Sequence, residues 1–247
     1  MQKHFGHRYF GGRVIRLGTA TVVKVDCQVA EAQAMNFVGK NTGLPVPRVL
    51  RVFSAKGKIH IMMECIDAPL LHDCWEGMSR NERKDIVIQL CDFLRQVRAL
   101  PPLHPGKVHG AGGLTSQLHD RRERSKPFGP FDTVDQFHEF IGLTYLREHV
   151  DEFPTFQPHF EKCAGRIYGT RFTHGDFAPY NIMVKGGKVV GIIDWECAGW
   201  YPEYWEYTTC YRSSLQTESF WDMMKDEMDS YSDELEVEHC ISSFFIR

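Results

Sequence analysis

The most constraining feature of the chain is a short apolar hairpin that lies between two polar loops. The apolar runs at residues 182–184 and 189–193 are rich in β-branched side chains, and Gly186 and Gly187 stand between them. Two adjacent glycines tolerate the positive φ angles of a tight hairpin turn. The chain therefore predicts a β-hairpin here with a two-residue turn.

Such a hairpin brings the polar residues on either side of it to the same end. If the turn is two residues long, Asn181 faces Ile192, and Asn181 and Asp194 emerge side by side. An amide oxygen and a carboxylate oxygen on opposite strands can share Mg²⁺ and leave positions for phosphate oxygens. Asp176 precedes Asn181 on a loop that Pro179 keeps out of helix. Its carboxylate can therefore reach the same cavity and receive a proton.

These loops resemble the catalytic and metal-binding loops of the protein-kinase-like superfamily. The motif His174-Gly175-Asp176 is similar to that of the aminoglycoside phosphotransferase and choline kinase branch. The resemblance implies that Asp176 is the catalytic base, that Asn181 and Asp194 bind the metal, and that His174 braces the loop. The interval from Asp176 to Asn181 is also that of the kinase catalytic loop. Taken singly, these residues are ordinary turn formers, but their combination with the hairpin favours the kinase-like interpretation.

The first part of the chain supports the resemblance. Residues 14–17 and 21–25 read as two strands, and residues 29–38 have helical spacing. Lys24 lies in the second strand, and Glu31 lies in the first helical turn, where the helix dipole favours a carboxylate. The resemblance implies that Lys24 binds the α- and β-phosphates of ATP and pairs with Glu31. Without it, the two residues would be a surface lysine and a helix-start glutamate.

A second hairpin follows and ends in the sequence Glu64-Cys65-Ile66. Kinase-like proteins bind adenine at the corresponding hinge through backbone groups, so the resemblance assigns nucleotide contacts to Glu64 and Ile66. The phrase from Thr42 to Trp75 is also similar to a fungal subgroup of the phosphotransferase family. ATP and Mg²⁺ are therefore the expected cofactors.

The chain departs from the kinase pattern at the glycine-rich loop that covers the phosphates. Gly6, Gly11, Gly12 and Gly18 do not form Gly-x-Gly-x-x-Gly, and the turn between the first two strands looks too short to cover phosphates. A nucleotide-binding pseudokinase without turnover is therefore one alternative. A protein kinase is another, although no Ala-Pro-Glu phrase and no activation segment follow Asp194.

We predict an α+β, protein-kinase-like fold with two lobes. Residues 1–66 form a nucleotide-binding lobe with a small antiparallel sheet and one helix. Residues 67–247 form a larger, mainly helical lobe with the catalytic and acceptor sites. Ser79 and Glu82 form a capping box at the start of one helix of this lobe, and Thr133 caps another.

Composition favours a soluble, cytoplasmic enzyme. The net charge of −3 implies no strong attraction to nucleic acid or to membranes, and the basic run at residues 121–124 is typical of a solvated face. No run is apolar enough to span a bilayer, and the N-terminus is too polar for a signal peptide. The eight cysteines contain no Cys-x-x-Cys pair, which indicates reduced thiols.

The acceptor is the least determined part of the prediction. The phosphotransferase branch acts on hydroxyls of small, often cationic molecules, so the resemblance implies an ATP- and Mg²⁺-dependent phosphotransferase with a small-molecule acceptor. Two features leave open whether that acceptor is cationic. The aromatic and acidic side chains of residues 200–207 either hold an amine by cation–π contacts or pack a helix. The acidic stretch 218–238 either lines a site for a polycation or forms the wet face of a last helix.

Overall fold

The structure is a computed structural model that describes residues 13–120, 126–214 and 217–245. The basic run at residues 121–124 and the first three of the N-terminal glycines lie outside these ranges. The described chain forms a small lobe with an antiparallel sheet and a larger, mainly helical lobe, as predicted. The boundary between residues 66 and 67 stays a prediction.

The small lobe is built from four strands and one helix. The elements are β1 (Val14–Leu17), β2 (Thr21–Cys27), α1 (Val29–Asn41), β3 (Val49–Ala55) and β4 (Lys58–Glu64). The strands form an antiparallel sheet in the order β1-β2-β4-β3. Helix α1 buries Ala34, Met35 and Val38, so the predicted helical spacing reflects a packed face.

The larger lobe consists mainly of helices, and its strands are short. Its elements are α2 (Leu71–Cys74), α3 (Arg80–Arg98), β5 (His109–Gly110), α4 (Val134–Phe140), α5 (Leu143–Glu148), α6 (Gln157–Cys163), β6 (Thr170–Thr173), β7 (Ile182–Lys185), β8 (Lys188–Ile192), β9 (Gly199–Pro202), α7 (Trp205–Ser213), α8 (Glu218–Lys225) and α9 (Ser232–Phe245). The predicted last helix is therefore two helices, because residues 226–231 between Lys225 and Ser232 are not helical.

Helices α3 and α4 begin at the capping residues that the sequence predicts. The Ser79 hydroxyl accepts a hydrogen bond from the Glu82 N–H at 3.3 Å, and the Glu82 carboxylate accepts one from the Ser79 N–H at 2.8 Å. At the start of α4, the Thr133 hydroxyl accepts from the Gln136 N–H at 3.1 Å. These bonds satisfy N–H groups that have no partner within a helix.

One apolar core runs from the small sheet and α1 through α3 to α7 and α8. The indole rings of Trp75, Trp195 and Trp200 are almost fully buried in it. The three-stranded sheet β5-β9-β6 lies beside this core, and β6 leads directly into the loop that begins at His174. In the described residues, no helix is long and apolar enough to cross a membrane.

The β7–β8 hairpin has the predicted turn but a different register. Gly186 and Gly187 have φ angles of 57° and 72°, which are the left-handed values that a two-residue turn requires. However, the prediction that Asn181 faces Ile192 is wrong. Val190 is an extra residue in β8, so the register shifts and the Ile193 N–H donates to the Asn181 carbonyl at 2.9 Å.

Candidate active site

The Asp176 carboxylate is buried between three donors. The Tyr180 hydroxyl donates to Asp176 Oδ1 at 2.6 Å, and the Ser213 hydroxyl donates to the same oxygen at 2.8 Å. The Asn181 side-chain amide donates to Oδ2 at 2.8 Å. Asp176 is only 2 % exposed, so its carboxylate is held in one orientation. Ser213 lies at the end of α7, and no local sequence signal connects it to this loop.

The loop that carries Asp176 is tied to α7 by a buried carboxylate. Glu206 is fully buried, and it accepts the N–H of His174 at 2.6 Å and that of Gly175 at 3.1 Å. Burial raises the pKa of Glu206 to about 7, although the two N–H groups favour its ionised form. Glu206 thus fixes the start of the loop that carries Asp176, a positioning role that the sequence did not reveal.

The His174 imidazole links this loop to the hairpin. The Asp176 N–H donates to His174 Nδ1 at 3.2 Å, and His174 Nε2 donates to the Ile193 carbonyl at 3.1 Å. The loop turns at Gly175, where φ is +78° and a Cβ would lie 2.7 Å from the Cys197 carbonyl oxygen. These contacts agree with the interpretation of His174 as a brace.

Lys24 joins the small lobe to the end of the hairpin. Its Nζ lies 2.7 Å from Glu31 Oε1, 2.6 Å from Asp194 Oδ1 and 3.4 Å from Glu196 Oε2. Burial alone would lower the pKa of Lys24, but the three carboxylates outweigh burial and raise it above the ordinary value. The structure thus contains the Lys24–Glu31 pair that the resemblance implies.

Asp194 occupies a strained backbone position at this junction. Its φ angle is +63°, a left-handed value that is uncommon for residues other than glycine. Burial would raise the pKa of the Asp194 carboxyl, but Lys24 and Arg13 hold it below the ordinary value. Arg13 also pairs with Glu196 at 2.7 Å, so Lys24 and Arg13 share one carboxylate.

The pairing of β1 with β2 shows which segment lies near Lys24. Val14 pairs with Lys24, whereas the turn after β1 reaches the hinge, where the Cys65 N–H donates to the Ala20 carbonyl at 2.9 Å. The turn between β1 and β2 therefore lies at the hinge end of these strands, and the expectation that it is too short to cover phosphates stays a prediction. Val14, the first residue of β1, is the end of this strand that lies beside Lys24.

The two predicted hinge residues differ in their surroundings. The Glu64 side chain is exposed, and its backbone N–H donates to the Arg48 carbonyl at 3.0 Å. The Ile66 side chain packs against an apolar cluster that includes Met183 and contacts Gly191 closely, since a Cβ at Gly191 would lie 2.7 Å from Ile66 Cδ1. The hairpin therefore presents an apolar surface directly below the hinge.

The oxygen donors near the hairpin suit Mg²⁺. Asn181 and Asp194 lie on adjacent chain ends, because the Asn181 carbonyl accepts the Ile193 N–H. Within residues 13–120, 126–214 and 217–245, no group of three or more His, Cys, Asp or Glu side chains could hold a metal ion. An amide oxygen and one carboxylate fit an ion that completes its coordination with phosphate oxygens and water.

The aromatic residues after Asp194 form part of the core. Trp200, Tyr201, Tyr204, Trp205 and Tyr207 are all at most 5 % exposed. The interpretation of residues 200–207 as an amine-binding cluster is therefore wrong, and the packing alternative is correct. The same aromatic residue types occur in cores and in ligand-binding sites, so the sequence alone does not decide between these two interpretations.

The acidic stretch 218–238 is divided between solvent and the interior. The Asp222 side chain is 63 % exposed, as a wet helix face requires. Glu234 and Glu238 are each only 4 % exposed, and Glu234 lies 2.6 Å from the Arg166 guanidinium. The prediction of one continuous wet face therefore holds for only part of this stretch.

Two consecutive residues of α7 connect the site to the long connection before α4. The Arg212 guanidinium lies 3.2 Å from Asp120 Oδ2, and the Ser213 hydroxyl donates to Asp176. Arg212 also lies 3.8 Å from Glu238 Oε2. Arg212 therefore lies between the carboxylates of Asp120 and Glu238, one residue before the serine that contacts Asp176.

Comparison with known proteins identifies relatives of the whole chain. The model of the phosphotransferase enzyme family matches residues 12–234. A thermostable mutant of aminoglycoside phosphotransferase APH(4)-Ia is similar at 13 % identity and a TM-score of 0.64, over 97 % of this chain and 85 % of that one. An aminoglycoside-3'-phosphotransferase of type VIII is similar at 17 % identity and a TM-score of 0.58, over 99 % and 93 %.

A further structure of APH(4)-Ia is a ternary complex with AMP-PNP and hygromycin B. It is 15 % identical, with a TM-score of 0.60 over 93 % of this chain and 80 % of that one. These likenesses confirm the predicted kinase-like, two-lobed α+β fold. No curated protein sequence matches the chain.

Proposed function

The chain belongs to the phosphotransferase enzyme family, and from this premise we propose that it transfers the γ-phosphoryl group of ATP to a hydroxyl of a small molecule in a Mg²⁺-dependent reaction. The observation that carries the proposal is the contact of Lys24 Nζ with both Glu31 and Asp194. This contact brings a cation of the small lobe to the end of the hairpin that also carries Asn181, whose amide donates to Asp176. A phosphate anchor, metal ligands and a base thus meet in one cleft.

Each residue has a distinct role in this proposal. Lys24 binds the α- and β-phosphates and is oriented by Glu31, while backbone groups at Glu64 and Ile66 bind adenine. Asp176 accepts a hydrogen bond from the acceptor hydroxyl and takes its proton as the oxygen attacks. Glu206 and His174 act indirectly, because they hold the loop that carries Asp176.

Asn181 and Asp194 hold Mg²⁺ in this proposal. When bound, the ion neutralises charge on the β- and γ-phosphate oxygens. Asp194 Oδ1 lies 2.6 Å from Lys24 Nζ, so the metal either binds Oδ2 or replaces this contact. Lys24 and Arg13 lower the pKa of Asp194, so this carboxylate is already ionised before the metal binds.

The acceptor in this proposal is a small, cationic molecule with a hydroxyl group. The structural relatives include complexes of aminoglycoside phosphotransferases with gentamicin and with hygromycin B. In this chain, the carboxylates of Asp120 and Glu238, which both contact Arg212 beside Ser213, support a cationic acceptor, and Arg212 neutralises part of their charge. Membership of the fungal subgroup and a cytoplasmic location are further parts of the proposal.

A turnover assay tests the function directly. Purified protein with Mg·ATP and a panel of amino-alcohols, aminoglycosides and hydroxylated aromatics should add the mass of one phosphate to a panel member. Asp176→Ala should abolish this product and largely spare ATP binding, because Asp176 acts on the acceptor. Asp194→Ala should weaken Mg²⁺-dependent ATP binding. Unchanged turnover in Asp176→Ala, or wild-type Mg·ATP affinity in Asp194→Ala, would contradict the assigned roles.

A nucleotide-binding pseudokinase is the second candidate. It is favoured by the direct contact of Lys24 with Asp194. In this contact the two side chains bind each other instead of the phosphates of ATP and the metal. Nucleotide binding without turnover on any acceptor would support it. A protein kinase is disfavoured, because β9 and α7 begin at Gly199 and Trp205 and leave no activation segment after Asp194.

A further inference from the structure

Two hydroxyl groups of the protein itself occupy one oxygen of Asp176. Tyr180 and Ser213 both donate to Oδ1, at 2.6 Å and 2.8 Å. A carboxylate oxygen offers about two lone pairs to hydrogen-bond donors, so these hydroxyls fill Oδ1. Under the proposed function, on which this inference rests, an acceptor hydroxyl must also donate to this carboxylate.

The two oxygens of Asp176 face different parts of the site. Oδ2 accepts from the amide of Asn181, which we propose as a metal ligand, so Oδ2 lies on the metal side. Oδ1 faces the end of α7, where Arg212 and Asp120 lie. The acceptor hydroxyl therefore approaches Oδ1 and has to replace one of the two hydroxyls there.

We propose that the Tyr180 hydroxyl holds the position of the acceptor hydroxyl until an acceptor displaces it, and that it thereby prevents Asp176 from activating water. Ser213 is the weaker candidate, because its short side chain is fixed by helix α7. Tyr180 is half-buried and places its hydroxyl at the tip of a long side chain. Its ring can turn aside, so the hydroxyl leaves Oδ1 when an acceptor binds.

The reaction that Tyr180 suppresses is the hydrolysis of ATP. In that reaction, a water oxygen bonds to the γ-phosphorus while the bond from this phosphorus to the β–γ bridging oxygen breaks. The proton of the water passes to Asp176, and ADP and phosphate leave. Water and an acceptor hydroxyl use the same lone pair of Asp176, so a residue that blocks water confers specificity for the acceptor.

The test is the release of ADP from Mg·ATP in the absence of an acceptor. Tyr180→Phe keeps the ring and removes the hydroxyl. The rate of hydrolysis should therefore rise about two- to tenfold, which corresponds to the net free energy of one protein hydrogen bond. Combining it with Asp176→Asn should remove the gain, because that variant lacks the base. Tyr145→Phe, on the exposed face of α5, is the matched control and should not change hydrolysis. Tyr180→Leu also lacks the hydroxyl and should show the same rise.

Several outcomes would overturn the inference. Unchanged or slower hydrolysis in both folded Tyr180 variants would show that the hydroxyl does not exclude water. A rise in Ser213→Ala alone would assign the position to Ser213, and a rise that persists without Asp176 would exclude the proposed route. Binding of a fluorescent ATP analogue is measured in parallel. If wild-type protein binds no nucleotide, the proposed function fails first; if it binds normally, only the role of Tyr180 is at stake.

Discussion

Replacement of Glu206 by glutamine tests whether a buried carboxylate holds the loop that carries Asp176. Glu206→Gln keeps the shape of the side chain and removes its charge. In the native chain, Glu206 is fully buried and accepts two backbone N–H groups. In the variant, one of these N–H groups faces an amide NH₂ instead of an oxygen. The loop at His174 and Gly175 should therefore be held less firmly.

The magnitude follows from the pKa of Glu206. Burial raises this pKa from an ordinary value of 4.5 to about 7, so between these pH values the folded chain keeps a proton that the unfolded chain has lost. The free energy of unfolding therefore falls as pH rises through this window and levels off above pH 7. The expected contribution is roughly 2 to 3 kcal/mol between about pH 5 and pH 8.

The assay is urea unfolding of wild type and Glu206→Gln at several pH values from about 5 to 8. The variant lacks the titrating group, so its stability relative to wild type should improve by the stated amount across this range. Glu139→Gln removes an exposed carboxylate of α4 and should follow the wild-type curve. Parallel curves for wild type and Glu206→Gln would refute the reasoning, since Glu206 would then titrate as it does in the unfolded chain.

Three further predictions concern single contacts. Gly175→Ala should lose about 2 kcal/mol of stability or more, because φ is +78° and the new Cβ meets the Cys197 carbonyl. It should also lose turnover. Urea unfolding measures the loss of stability, and the acceptor assay measures the loss of turnover. Lys24→Met should lose about 3 to 5 kcal/mol by leaving buried carboxylates unpaired, and adding Glu31→Gln should recover part of that loss in the same unfolding assay. Ser79→Ala should lose about 1 kcal/mol by removing the cap of α3, again by urea unfolding.

Features with short-range causes were the ones that the sequence predicted well. The turn at Gly186 and Gly187 depends on two adjacent residues that tolerate positive φ. The cap at Ser79 depends on a partner only three residues away. The Lys24–Glu31 pair was also predicted, but only through the family resemblance, since nothing in the local pattern requires the two side chains to meet.

Features that depend on distant partners were missed. The bulge at Val190 has no local signal; it accompanies a hydrogen bond from the Ile192 N–H to the Pro45 carbonyl at 2.8 Å. Ser213 and Glu206 reach the loop that carries Asp176 from α7, more than thirty residues further along the chain. A polar side chain in a helix does not indicate in sequence which loop will pack against it.

The contact between Lys24 and Asp194 leads to a prediction about the order in which ligands bind. The two side chains would contact the phosphates and the metal, yet here they neutralise each other at 2.6 Å in a buried setting. ATP alone would draw Lys24 away and leave Asp194 without its main cation, whereas Mg²⁺ supplies a cation to Asp194 while Lys24 keeps its contact with Glu31. An unpaired buried charge costs several kcal/mol, so ATP and Mg²⁺ should bind together.

We therefore expect the Kd for ATP to fall by about 100-fold or more when Mg²⁺ replaces EDTA, which corresponds to roughly 3 kcal/mol. Isothermal titration measures both affinities on the same protein. Asp194→Asn removes the charge that needs compensation, so its Kd for ATP should depend far less on Mg²⁺. The matched control Asp222→Asn alters an exposed carboxylate of α8 and should retain the wild-type dependence. Equal affinity of the wild type for ATP with and without Mg²⁺ would show that Asp194 needs no replacement cation when Lys24 leaves it.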